Sequence, residues 1–149
     1  MNLFGLLQVS GSALAAERLR AEVVTTNLAN AESTRTPEGG PYHRKVTVFE
    51  SRFSSPFQLL MAGNGAASSS GEANGGVRVA GVVEDLEPGL RKYEPGHPDA
   101  DAAGYVEYPN INPVQEVVDL MGAQRAYELN ASAVQAAKQM IEQSIQLLR

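Results

Sequence analysis

The sequence predicts an α+β protein, with long N- and C-terminal helices paired as an antiparallel coiled coil and a small antiparallel β insertion between them. Three observations carry that reading. Towards the end of the chain an apolar or aromatic residue returns every seven positions, at Leu120, Tyr127, Val134, Ile141 and Leu148. Near the beginning Leu7, Leu14, Ala21 and Leu28 recur at the same interval. Seven residues make close to two α-turns, so each series draws one stripe along a helix, the pattern of a helix lying on a helix. Between the two stripes, short runs rich in β-branched and aromatic residues alternate with turns that contain Pro and Gly.

The C-terminal helix has a marked start. Asn112 accepts a backbone N–H as N-cap, Pro113 suits the first helical position, and Gln115 stands where a capping-box partner reaches back. From there to Arg149 only Gly122 interrupts the helical pattern. Small or polar residues (Ala123, Asn130, Ala137, Ser144) fall three places after members of the stripe. At about 1.5 Å per residue the helix is roughly 55 Å long and needs a partner along its length. The N-terminal helix spans roughly Leu3 to Glu32, with Leu3 and Val24 on the adjoining edge of its stripe and a candidate bend at Gly11. Propensity weakens through Thr25-Thr26-Asn27, and the segment from Ser33 to Pro41 ends the helix.

Four strands are predicted between the helices: Tyr42 to Phe53, Val77 to Val83, Leu90 to Tyr93 and Gly104 to Tyr108. They are expected to make one β unit of three or four strands. The domain organisation is then a helical part, residues 1–34 and 112–149, and a β-rich insertion, residues 35–111, with a flexible Gly/Ser/Ala loop at 62–76.

Composition excludes several functions. The net charge is −5 with acids and bases interspersed, so no basic cluster matches a nucleic-acid backbone. Cysteine is absent, and no apolar run has the length of a membrane span. Met1 to Ala15 is fairly apolar, but no Lys or Arg precedes Arg18, so the positive segment of a cleaved signal peptide is missing.

Catalytic devices fail in turn. Gly63-Asn64-Gly65 lacks the Gly-Lys-Ser/Thr of a phosphate loop. Asp99-Ala100-Asp101 resembles the opening of a calcium loop, yet Ala103 and Asn110 stand where ligands are needed, so it reads as a polar turn with carboxylates capping backbone N–H groups. His43 and His97 are the only histidines, and no serine sits on a nucleophile elbow. The chain is read as a non-enzyme without cofactor or metal. What remains is surface: Val114, Val117, Met121, Met140, Ile145 and Leu147 add more apolar area than one helix seam covers, and such a patch marks a partner site. The alternative is that the β unit folds back over them. The candidate helix-pair and subunit interface is Leu7, Leu14, Ala21, Val24, Leu28, Val117, Leu120, Met121, Tyr127, Val134, Ile141, Ile145 and Leu148.

Ser10-Gly11-Ser12-Ala13-Leu14, Arg18-Leu19 and Asn27-Leu28-Ala29-Asn30-Ala31 together resemble the N-terminal signature of the bacterial flagellar rod and hook axial proteins. The run from Ser33 to Lys45, Gly76 to Ala80, Tyr93 to Asp101, Gly104-Tyr105-Val106 and Arg125-Ala126-Tyr127-Glu128 resemble the proximal-rod members of that family. The long loop at 62–76 and the residues Pro113, Gln115 and Leu129 depart from the family pattern. The resemblance implies a structural subunit of the basal-body rod, periplasmic, exported through the flagellar type III apparatus without a cleaved signal peptide. Implied partners are the chain itself, other proximal and distal rod proteins, the inner-membrane ring and the export apparatus. It also implies that the terminal helices line a tube with the β unit outside, and that Asn27, Leu28, Ala29, Asn30, Arg125 and Tyr127 are family-motif positions. The rival reading is a soluble coiled-coil adaptor or secreted protein that binds a partner helix in a closed oligomer.

Overall fold

The computed structural model describes residues 3–52 and 75–147. Helix α1 runs Leu3–Ala29 and helix α2 runs Pro113–Leu147. The strands among the described residues are β1 (Lys45–Ser51), β2 (Val77–Glu84), β3 (Leu90–Tyr93) and β4 (Tyr105–Tyr108). Of the expected flexible loop, all but Gly75 and Gly76 lies outside the described residues, as does Leu148.

Helix α1 continues through Gly11 without a break. The β-branched residues near its end stay helical by turning their hydroxyls onto carbonyls one turn back, Thr25 Oγ1 to Ala21 O at 2.7 Å and Thr26 Oγ1 to Glu22 O at 2.8 Å. The helix stops where the Asn30 N–H is shared between the carbonyls of Thr26 and Asn27, both at 3.1 Å, and the Asn30 side-chain amide takes Thr26 O as well. At the start of α2 the Asn112 carboxamide oxygen accepts the Val114 N–H at 3.0 Å, a true N-cap ahead of Pro113. Among the described residues the reciprocal Gln115 arm of a capping box is not made.

The two helices lie against each other and run in opposite senses, for Asn27 meets Glu116 while Arg20, two turns earlier in α1, meets Asp119. Their closest approach falls on small residues: Ala16 in α1, and Ala123 and Ala137 in α2, are buried. A methyl group on each side lets the backbones draw together, while the larger side chains splay to the edges of the seam. Each buried alanine contributes only about 1 kcal/mol, so the seam is long and thin.

The strands form two separate two-stranded sheets in place of the single unit expected. β1 and β2 pair antiparallel from Lys45↔Glu84 to Ser51↔Val77, with an irregularity between Val48 and Phe49, and β3 and β4 pair from Leu90↔Tyr108 to Tyr93↔Tyr105. After β2 the Asp85 N–H bonds back to Arg44 O at 2.7 Å, and Pro88, which has no N–H to offer a ladder, then separates the two hairpins. The β1–β2 hairpin packs on α1, not on α2. Ser12 fixes it there, its hydroxyl accepting the Val77 N–H at 3.1 Å; a Cβ on Gly76 would stand 2.8 Å from the same oxygen. Gly104 leads into β4 at φ 82°, under the ring of Tyr93.

Candidate assembly interface

At one end of the helix pair, α1, β1 and α2 meet on a buried polar cluster. Asn27 is 0% exposed and Glu116 is 1% exposed. The Asn27 carboxamide donates to Lys45 O at 2.8 Å and to Glu116 Oε2 at 3.2 Å, and its oxygen accepts Lys45 N–H at 2.9 Å and Tyr42 O–H at 3.1 Å. It therefore mimics a strand partner for Lys45 while bridging to the far helix. Arg44 Nε donates to Glu116 Oε1 at 2.6 Å, and its guanidinium also faces Asp119 at 3.6 Å. Burial raises the Tyr42 hydroxyl above its ordinary value of 10.0, Lys45 opposing the shift. The result is one satisfied network that holds α1, β1 and α2 in a single register.

The loop from Glu94 to Gly104 has no vacant catalytic group. Asp101 Oδ1 accepts the N–H groups of Ala103 at 2.8 Å and Tyr105 at 2.9 Å, and Asp99 Oδ2 accepts the Thr34 hydroxyl at 2.9 Å. His97 Nδ1 accepts the Asp99 N–H at 3.1 Å. These carboxylates close a turn, and among the described residues no group of acidic and histidine side chains is arranged to hold a metal ion.

The remaining candidate residues divide by exposure. Val24 is buried, and Leu7, Leu14, Ala21 and Leu28 line α1 half-buried, as do Leu120, Val134 and Ile141 on α2. Val117, Met121, Tyr127 and Ile145 are exposed. Of the motif positions, Asn27 is in the cluster, Leu28 and Asn30 are half-buried, and Ala29, Arg125 and Tyr127 are exposed. On the side of α2 away from the seam, Val114, Val118, Met121 and Leu129 follow one another at helical spacing, 73%, 55%, 54% and 72% exposed. Because the β1–β2 hairpin rides on α1, nothing described folds back over this stripe. Val118 was missed by sequence reasoning, which tracked the seven-residue seam; Glu116 and Arg44 were missed as a pair because nothing local links positions so far apart.

A chain with a closed polar cluster and a long uncovered apolar face is suited to assembly. Its relatives decide which assembly. A family profile described as "Flagellar basal body rod FlgEFG protein C-terminal" matches residues 102–147. Along the full length, the chain is 39% identical to the flagellar basal-body rod protein FlgC of Borreliella burgdorferi over 156 residues, covering 100% of this chain and 99% of that one. It is 40% identical to the FlgC of Bacillus subtilis, covering 99% of each chain. The chain belongs to the FlgC family of flagellar basal-body rod proteins. The FlgC of Salmonella typhimurium is similar at 39% identity, with 99% of this chain and 98% of that one covered. As an FlgC-family member, the chain is a structural subunit of the flagellar basal-body rod and not an enzyme. The Arg125-to-Glu128 motif and the exposed stripe of α2 both fall within the matched C-terminal segment. No described helix is long and apolar enough to cross a membrane.

Proposed function

We propose that α1 and α2 act as one antiparallel coiled-coil stave of the proximal rod. In this reading residues 1–34 and 112–149 form the inner, tube-lining part, and residues 35–111 form an outer β-rich part. Copies of the chain and sibling proximal and distal rod proteins pack side by side into a periplasmic drive shaft that encloses the export channel. The base of the shaft meets the inner-membrane ring, and the chain reaches it through the type III export apparatus without a cleaved signal peptide.

The observation that carries this is the outward stripe of α2. The helix already has its partner in α1, yet Val114, Val118, Met121 and Leu129 remain uncovered. An aliphatic row of this length on a chain whose seam is already filled is stabilised by covering it with a neighbour. Contacts between different patches on identical or sibling subunits do not close on themselves, and they generate a helical array.

Substitution of the stripe tests it. Val118→Asp and Met121→Asp stand on exposed positions, so each variant is expected to fold and melt as the parent does. Each is also expected to be missing from purified basal bodies and to leave the cells unable to swim. Normal swimming of both variants overturns the assembly reading.

A further inference from the structure

Arg125 stands in the middle of the uncovered stripe, four residues from Met121 on one side and four from Leu129 on the other. A helix places the partners of a charged side chain three or four positions away. Both i±4 neighbours of Arg125 are aliphatic, and Glu128 at i+3 forms no ion pair with it among the described residues. Among the described residues Arg125 makes no hydrogen bond or ion pair. Glu128, three residues on, stands where the stripe borders the groove between the helices.

That groove has the reverse character. Ala21 and Ala123 give it a low floor, and Tyr127, a residue 44% exposed, forms a wall. Glu17 and Glu128 supply the charge. The Oε2 atom of Glu17 is buried without a hydrogen bond, and the cation nearest it, Arg20, stands 3.9 Å away. Arg18 on the rim is engaged with Glu22 at 3.0 Å. The space measures about 410 Å³ on the Leu14 side of Tyr127 and about 670 Å³ on the Glu128 side, enough for a long side chain and its aliphatic neighbours. A buried carboxylate oxygen with no hydrogen bond and only a long 3.9 Å ion pair to Arg20, a second carboxylate outside any described ion pair, and an aromatic face are a receptor for a guanidinium, by ion pairing and by cation–π contact.

We propose that the Arg125 stripe of one subunit seats in the α1–α2 groove of a second copy of this chain, head to tail. The inference rests on the rod-subunit reading and gives that surface its partner. Stripe and groove are different patches of α2 that adjoin at Glu128, so the contact is heterologous and repeats without closing.

The absence of cysteine from the chain makes the contact directly testable. Two differently tagged chains, one Arg125→Cys and the other Glu128→Cys, are co-expressed, and intact basal bodies are treated with a short bismaleimide. The expected result is a joined pair carrying both tags, with no joined pair when either variant is expressed alone. Variants that enter basal bodies and support swimming but give no joined pair overturn the contact and leave the rod reading standing. Joining to a rod protein of different mass overturns the second copy as the occupant. If a cysteine variant does not incorporate, charge exchange decides: Arg125→Glu is expected to abolish swimming without shifting the melting temperature, and Glu128→Arg added to it is expected to restore swimming. Failure of the double variant to swim, or a lowered melting temperature in Arg125→Glu alone, overturns the proposal.

Discussion

Asn27 is the residue on which most of the described architecture converges, because four hydrogen bonds leave its carboxamide to two other elements and the segment before β1. Truncation by Asn27→Ala takes the partner from the part-buried Lys45 N–H and carbonyl and Tyr42 hydroxyl and from one oxygen of the buried Glu116. Unmade buried hydrogen bonds of this kind make a loss of about 2–4 kcal/mol the expected outcome, read as a fall in melting temperature with loss of amide protection at Lys45. Only the resemblance pointed to Asn27, since an asparagine near a helix end otherwise reads as a stop signal. Glu116 was not legible at all. A glutamate in the first turn of a helix is ordinarily solvated and favoured by the helix dipole, and its partners Asn27 and Arg44 lie 89 and 72 positions away in the chain.

Acid provides a second test at this scale. Hydrogen bonds from Lys92 and Tyr108 hold the Glu94 carboxyl below its ordinary 4.5, and the Tyr105 and Ala103 N–H groups hold Asp101 below its ordinary 3.8. A carboxyl with a depressed value favours the folded form above its unfolded value, and that contribution disappears as pH falls through the lower folded value. The protection factors of the Tyr93 and Tyr105 amides, which remove the intrinsic pH dependence of exchange, are therefore expected to be constant above about pH 4.5 and to fall below it, where the β3–β4 loop loosens first.

Among the elements, the described helices and strands were readable from periodicity and turn residues, and the strand boundaries moved by a few residues only. Pairing was not readable. Alternation identifies a strand but not its neighbour, and the break between β2 and β3 is made by Pro88 and by the Asp85–Arg44 bond, the second of which is not local. The seam shows a related effect. The seven-residue series drew attention to the bulky residues, whereas the structure buries the alanines three places after them. Ala137→Leu is accordingly expected to push the helices apart and cost about 1–3 kcal/mol, more than any aliphatic exchange on the outer stripe. Gly122→Ala has the opposite expectation. Nothing stands within 4 Å of an added Cβ there, so the helix gains about 0.5–1 kcal/mol, seen as a rise in melting temperature.

For the whole molecule, the polar cluster ties one end of the helix pair while the other end depends on Ser10, Ala137 and half-buried aliphatics. The isolated, dilute chain is expected to show less helix by circular dichroism than α1 and α2 contain. Hydrogen exchange is expected to be fastest in Leu3–Ala13 and Lys138–Leu147 and slowest around Asn27 and Glu116. Full, concentration-independent helicity in dilute solution contradicts this, for it means that the thin seam alone sustains both helices.

The meeting of α1, β1 and α2 at Asn27, Glu116 and Arg44 also has a mechanical meaning. The helix pair is stiff along its axis, while β3–β4 packs on neither helix and is held by the buried Val106 and by Thr34 and Arg35 on Asp99. Under a twisting load the molecule is thus expected to behave as a stiff spar carrying a softer shoulder, with this cluster as its main rivet. Deformation gathers in residues 30–44 and 109–112, and the rivet decides how much of the twist passes from shoulder to spar.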